Sequence, residues 1–301
     1  MADILEMVRS GLAPHYTVER EIGAGGMARV FLARERTPPR MVAVKVMTPG
    51  LNSAAFRARF TREIELTSVL QHPHIVPILA AEECLFVPDS EDDLCYYVMP
   101  WVEGESLRQR LLREKRLPLA DALRITREVA DALQFAHDRQ IIHRDLKPEN
   151  ILLDVTRSLL ADFGVARAIS AAQQDVSLTS EGVVVGSLAY MSPEQMAGKG
   201  PLDARTDVYA LACVFHEMII GTPPLMTAGP TSRPGLPVLR QALLDQGVGR
   251  AVTRGLEQVL CRALCPDPDQ RYSSAAQFIV DLQQALRPGF KDRLAALFAR
   301  S

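Results

Sequence analysis

Asp145, Lys147 and Asn150 share the run Ile142-His143-Arg144-Asp145-Leu146-Lys147-Pro148-Glu149-Asn150, and a second carboxylate follows in Asp162-Phe163-Gly164. Phosphoryl transfer needs a carboxylate beside the attacking hydroxyl, oxygen ligands for a divalent cation, and positive charge on the migrating phosphate. Asp145 suits the first role, Asn150 with Asp162 the second, and Lys147 with Lys45 the third. Lys45 ends the apolar run Val42-Ala43-Val44-Lys45, so its ammonium calls for a carboxylate, which Glu63 can supply. Alone, such a Lys–Glu pair is more often a solvated surface pair, and only the other motifs give it weight.

Ahead of these lies Gly23-Ala24-Gly25-Gly26-Met27-Ala28-Arg29-Val30. Missing side chains let backbone N–H groups close over phosphates, although a glycine cluster between strands is more often a plain turn. Ala28 replaces the third glycine of the G-x-G-x-x-G pattern and no G-K-[ST] is present, which disfavours a P-loop nucleoside triphosphatase.

Residues 16–47 alternate apolar and polar side chains, with Gly and Pro38-Pro39 as punctuation, and predict three antiparallel strands. Asn52 or Ser53 can cap a helix running to about Leu70, and residues 78–86 and 94–99 read as further strands around an acidic hairpin loop at 89–93. Helical periodicity then dominates over 106–113, 119–139, 203–220, 253–265 and 273–286, while 223–237 is Pro/Gly-rich and irregular. The expected fold class is α+β: a small N-terminal antiparallel β lobe with one main helix, a larger mainly helical C-terminal lobe, and a ligand cleft where they join near 100–104. Residues 1–15 read as an N-terminal extension, 16–100 as the first lobe and 101–288 as the second, with an amphipathic tail at 289–301 whose Phe290, Leu294, Leu297 and Phe298 share a helical face.

The 34 basic residues nearly balance the 36 acidic ones, so the overall charge gives no reason to expect nucleic acid or an anionic membrane as partner. Five cysteines, an odd set without a signal peptide, predict reduced thiols in the cytoplasm. Cys261 with Cys265 and His72 with His74 lack a second half at zinc-site spacing and read as packing residues. His216 and Glu217 interrupt the apolar run 208–220, so no stretch spans a bilayer and the chain is expected to be soluble and cytoplasmic, or the cytosolic part of a longer anchored protein.

With these motifs in this order, residues 16–286 resemble the bacterial eukaryotic-like (Hanks-type) serine/threonine protein kinases. Ser192-Pro193-Glu194, Asp207 in Asp-Val-Tyr and Arg271 in Gln-Arg-Tyr extend the match. The resemblance implies a two-lobed kinase fold with an activation segment over 162–194. It also implies ATP and magnesium, or manganese, as cofactors and protein Ser/Thr hydroxyls as acceptors, with a homodimer for trans-autophosphorylation. Catalytic roles fall to Asp145, Lys147, Lys45 and Glu63, and metal ligation to Asn150 and Asp162. Ile22, Gly23, Gly25, Gly26, Val30, Ala43, Lys45, the gatekeeper Met99, the Pro100 carbonyl, the Val102 N–H and Leu152 are implied to hold ATP. Glu194 should pair with Arg271, Asp207 should brace the catalytic-loop backbone, and Ser187 should bond to Asp145 and Lys147.

Lys147 is the mark of a Ser/Thr enzyme within the family, and Thr179, flanked by Ser177 and Ser180, matches its usual phosphorylated threonine, with Glu181 in place of a second one. The alternative class is a pseudokinase scaffold, but only Ala28 departs from the pattern while Lys45, Glu63, Asp145, Asn150 and Asp162 are all present. A small-molecule phosphotransferase would not be expected to carry the Ser-Pro-Glu segment.

Overall fold

A computed structural model describes residues 4–25, 28–48, 54–85, 94–163, 187–198, 200–224 and 236–287. These fall into two units, one holding the described residues up to Glu103 together with Ala161, Asp162 and Phe163, the other holding 104–160 and those from 187 onward. Asp162 and Phe163 thus pack with the first unit, whereas the sequence assigned them to the second lobe.

In the first unit the predicted strands form a five-stranded antiparallel sheet in the order β1 (Tyr16–Ala24), β2 (Ala28–Arg36), β3 (Pro39–Met47), β5 (Leu94–Pro100) and β4 (Ala80–Leu85). Helix α1 (Ile4–Leu12), inside the stretch read as an extension, sends Val8 and Leu12 into a core with Phe31, Val44, Tyr96 and Val98. Its apolar residues Ile4, Val8 and Leu12 recur every four positions and so lie on one helical face. On helix α2 (Ala54–Ser68), Phe56, Phe60, Ile64 and Thr67 form the buried stripe. The Phe60 ring lies 6.3 Å from that of Tyr97. With Tyr96 and Tyr97 both buried in different surroundings, β5 reads as an unbroken apolar run and not as an alternation.

The second unit is mainly helical: α3 (Leu107–Glu114), α4 (Leu119–His137), α5 (Pro193–Ala197), α6 (Ala204–Ile220), α7 (Leu236–Asp245), α8 (Arg250–Ala263) and α9 (Ala275–Ala285). Helix α6 is buried on all sides and packs against α4, α7, α8 and α9. Asp203 caps its start, and Gly221 ends it in the left-handed region at φ 92°, where a Cβ would meet the Lys115 carbonyl oxygen at 2.7 Å. A small antiparallel sheet of β6 (Glu105–Ser106), β7 (Ile151–Leu153) and β8 (Ser158–Leu160) follows the order β6-β7-β8. These strands are too short to register as periodicity. Among the described residues no helix is long and apolar enough to cross a membrane. The loop at 89–93 and the tail at 289–301 lie outside the described residues.

Candidate active site

Register in the first sheet sets Lys45 of β3 opposite Tyr97 of β5 and Ala43 opposite Met99. Directly opposed residues share a sheet face, so all four point to the side where Tyr97 meets Phe60 of α2. Lys45 Nζ donates to Asp162 Oδ2 at 2.6 Å and lies 6.0 Å from the Tyr97 ring centre. Tyr97 Oη donates to the other carboxylate oxygen, Asp162 Oδ1. The ion pair of Lys45 is therefore with Asp162 and not, as expected, with Glu63, which sits half-buried on α2. Asp162 adopts a left-handed backbone, φ 68°, and so turns its carboxylate toward both donors. Burial, then the Asp162 charge, push the Tyr97 phenol well above the usual tyrosine range, so it remains a donor.

At the end of β5 the Trp101 N–H donates to the Met41 carbonyl at 3.3 Å. Across a trans peptide the preceding carbonyl, that of Pro100, points the opposite way. Proline at position 100 costs nothing here because only its carbonyl is presented.

In the second unit Asp145 Oδ2 accepts from Lys147 Nζ at 2.7 Å and from Asn150 Nδ2 at 3.2 Å. Asn150, in the 3-10 turn Pro148–Asn150, also donates Nδ2 to the Asp145 carbonyl at 2.8 Å. That commitment leaves Oδ1 of Asn150 as a hard oxygen donor. Such an oxygen, like that of a carboxylate, suits magnesium, which takes one or two protein oxygens beside substrate phosphates.

Asp207, wholly buried on α6, accepts from the His143 N–H at 2.8 Å, the Arg144 N–H at 2.8 Å and His137 Nε2 at 2.8 Å. Burial works against its charge, but the bond from His137, the nearby His137 and His143 rings and the Arg144 amide outweigh it, and its carboxyl stays below the usual range. Arg271, with no exposed side-chain area, grips Glu194 through two bonds of 2.8 and 2.7 Å. Burial opposes ionisation of Glu194 too, yet Arg271, the Glu194 backbone and Ser192 bring its carboxyl from 4.5 down to about 2.

Residues 16–284 match the family described as protein kinase domain. The chain belongs to that family. Curated relatives of this kinase domain include the serine/threonine-protein kinase PknB of Mycobacterium leprae, 36% identical over 273 residues, or 90% of this chain and 43% of that protein. PknJ of Mycobacterium bovis is 36% identical over 287 residues, 92% of this chain and 46% of that protein. The chain thus spans less than half the length of these relatives. Among solved structures, the PknI kinase domain of Mycobacterium tuberculosis aligns with a TM-score of 0.67 at 30% identity, over 90% of this chain and 96% of that one. The kinase domain is therefore of the bacterial Hanks type, with the antiparallel sheet and mainly helical second unit of the protein kinase fold.

Of the expected site residues, Ile22, Gly23, Gly25, Val30, Ala43, Lys45, Glu63, Met99, Pro100, Val102 and Asp162 belong to the first unit of the kinase, and Asp145, Lys147, Asn150, Leu152, Glu194, Asp207 and Arg271 to the second. Gly26, Ser177, Thr179, Ser180 and Glu181 lie outside the described residues, as does the side chain of Ser187. Sequence reasoning missed Tyr97, His137 and Gln195, whose Nε2 donates to the Arg144 carbonyl at 2.8 Å. For Gln195 the available signal was the S-x-x-Q spacing of Ser192 and Gln195, which marks a capping box.

Proposed function

We propose that the chain transfers the γ-phosphoryl group of ATP to serine or threonine hydroxyls of proteins. The arrangement of Asp145 carries this reading: Lys147 and Asn150 hold its Oδ2, which leaves Oδ1 to accept the hydrogen of an incoming hydroxyl. Lys147, beside that carboxylate, offsets charge on the migrating group. Lys45 would bind the ATP phosphates, and Asn150 and Asp162 would hold magnesium, with manganese as substitute. When bound, the metal neutralises phosphate charge. The Pro100 carbonyl and Val102 N–H suit the adenine edge, with Ile22, Val30, Ala43, Met99 and Leu152 as apolar walls. A Cβ on Gly23 or Gly25 would meet no atom of the described chain closer than 3.7 Å, so the fold itself does not demand glycine there and a close phosphate gives a reason for it.

Thr179 is proposed as the main autophosphorylation site, reached in trans within a homodimer, with Glu181 as a fixed weaker charge. Cytoplasmic placement is part of the same reading.

The test is phosphate transfer to Ser/Thr peptides by the wild type and Asp145→Asn with magnesium and ATP. The substitution keeps the side chain's shape, so turnover should fall at least about a thousandfold with folding unchanged. Comparable activity in the mutant would sink the assignment. A wild type that binds ATP with magnesium but turns none over would favour the scaffold reading.

A further inference from the structure

We propose that Gln195 is a positioning residue for the catalytic loop, acting through the backbone of Arg144. The inference rests on the phosphotransferase reading for its kinetic consequence and on geometry alone for its structural one.

Arg144 is not glycine, yet its φ is 70°. A side chain in this left-handed region costs about 1–2 kcal/mol, so the conformation persists only where surrounding bonds enforce it. Asp207 Oδ1 takes the Arg144 N–H at 2.8 Å, and Gln195 Nε2 donates to the Arg144 carbonyl at 2.8 Å. That carbonyl belongs to the peptide that enters Asp145, and the N–H at the far end of the same peptide donates to His143 Nδ1 at 3.3 Å. With both its polar groups engaged, the peptide plane carrying Asp145 is held against rotation.

Gln195 has little freedom to give up this bond. Its Oε1 accepts from the Ser192 N–H at 3.1 Å and Ser192 Oγ at 3.2 Å, which completes the capping box of α5 and directs Nε2 at Arg144. Ser192 is fully buried, and the neighbouring Glu194 is locked to Arg271, so α5 is a firm base.

The competing account is that Gln195 serves only as a cap. Glutamate closes a capping box as well as glutamine does, but it has no N–H to offer a carbonyl and sets oxygen against oxygen at Arg144. Gln195→Glu therefore removes the loop contact and keeps the cap, whereas Gln195→Ala removes both. Wild type and both variants are compared by kcat and KM for ATP, thermal unfolding, and amide hydrogen exchange over residues 141–150.

Gln195→Glu should unfold within about 2 °C of wild type. Its kcat should fall about tenfold, equivalent to about 1.4 kcal/mol, with KM for ATP unchanged and faster exchange at the Asp145 amide. Gln195→Ala should show the same kcat loss and a lower Tm. Wild-type kcat and exchange in Gln195→Glu would overturn the proposal, as would a Tm loss matching that of Gln195→Ala. If the wild type transferred no phosphate, the phosphotransferase reading would fail and the exchange comparison alone would decide the role of Gln195.

Discussion

Tyr97 donates its buried hydroxyl to Asp162 Oδ1 while Lys45 holds Asp162 Oδ2 at 2.6 Å, so both oxygens of one carboxylate are engaged from the β3–β5 face. A hydrogen bond to a charged group contributes more than a neutral one, and here the donor is a phenol with almost no exposure. Tyr97→Phe should therefore cost about 1.5–3 kcal/mol of stability by urea denaturation, with the same dependence on urea. An unchanged midpoint would mean that this bond contributes nothing net.

Lys45→Met removes the cation paired with Asp162 at 2.6 Å and the proposed phosphate-binding charge together. Phosphotransfer should fall at least about a hundredfold in steady-state assays. If turnover survived intact, the cation that positions the phosphates would have to come from elsewhere in the chain.

The Glu194 carboxyl is depressed from 4.5 to about 2, so its pairing with Arg271 adds stability that is present above the unfolded value and is lost as pH falls through that interval. Glu194→Gln should be less stable than wild type at neutral pH, and the gap should close as pH drops from 4.5 toward about 2. Denaturation at a series of pH values measures this directly. A gap independent of pH would show that packing, and not the charge on Glu194, accounts for the difference.

Thr179→Ala should remove the main phosphate found by mass spectrometry after incubation with magnesium and ATP, and should lower activity toward peptides. Phosphate brings about −1.5 to −2 charges where Glu181 offers one, so Glu181 cannot replace it fully. Full activity in Thr179→Ala, or no phosphate between Ser177 and Ser180 in active enzyme, would point to activation by dimerisation or a partner.

The sequence by itself determined the local chemistry, because Asp145, Lys147 and Asn150 lie so near along the chain that one loop and one 3-10 turn suffice to join them. It also determined most elements, since strand alternation and helical periodicity are properties of neighbours; the four-residue spacing of Ile4, Val8 and Leu12 in α1 was legible but passed over as an extension, and the two- and three-residue strands β6 to β8 carried too little pattern to be read. Tertiary structure decided which carboxylate meets Lys45. Glu63 and Asp162 were equal in charge, and only the sheet register with the left-handed turn at Asp162 brought one of them to 2.6 Å. The same holds for Leu94-Cys95-Tyr96-Tyr97-Val98-Met99, an apolar run in which neither tyrosine stands out. Successive residues in a strand face opposite ways, so Tyr96 joins the core beneath α1 while Tyr97, one position on, carries its hydroxyl to Asp162. Which of the two does so depends on what packs against each face, and that is a property of the assembled sheet.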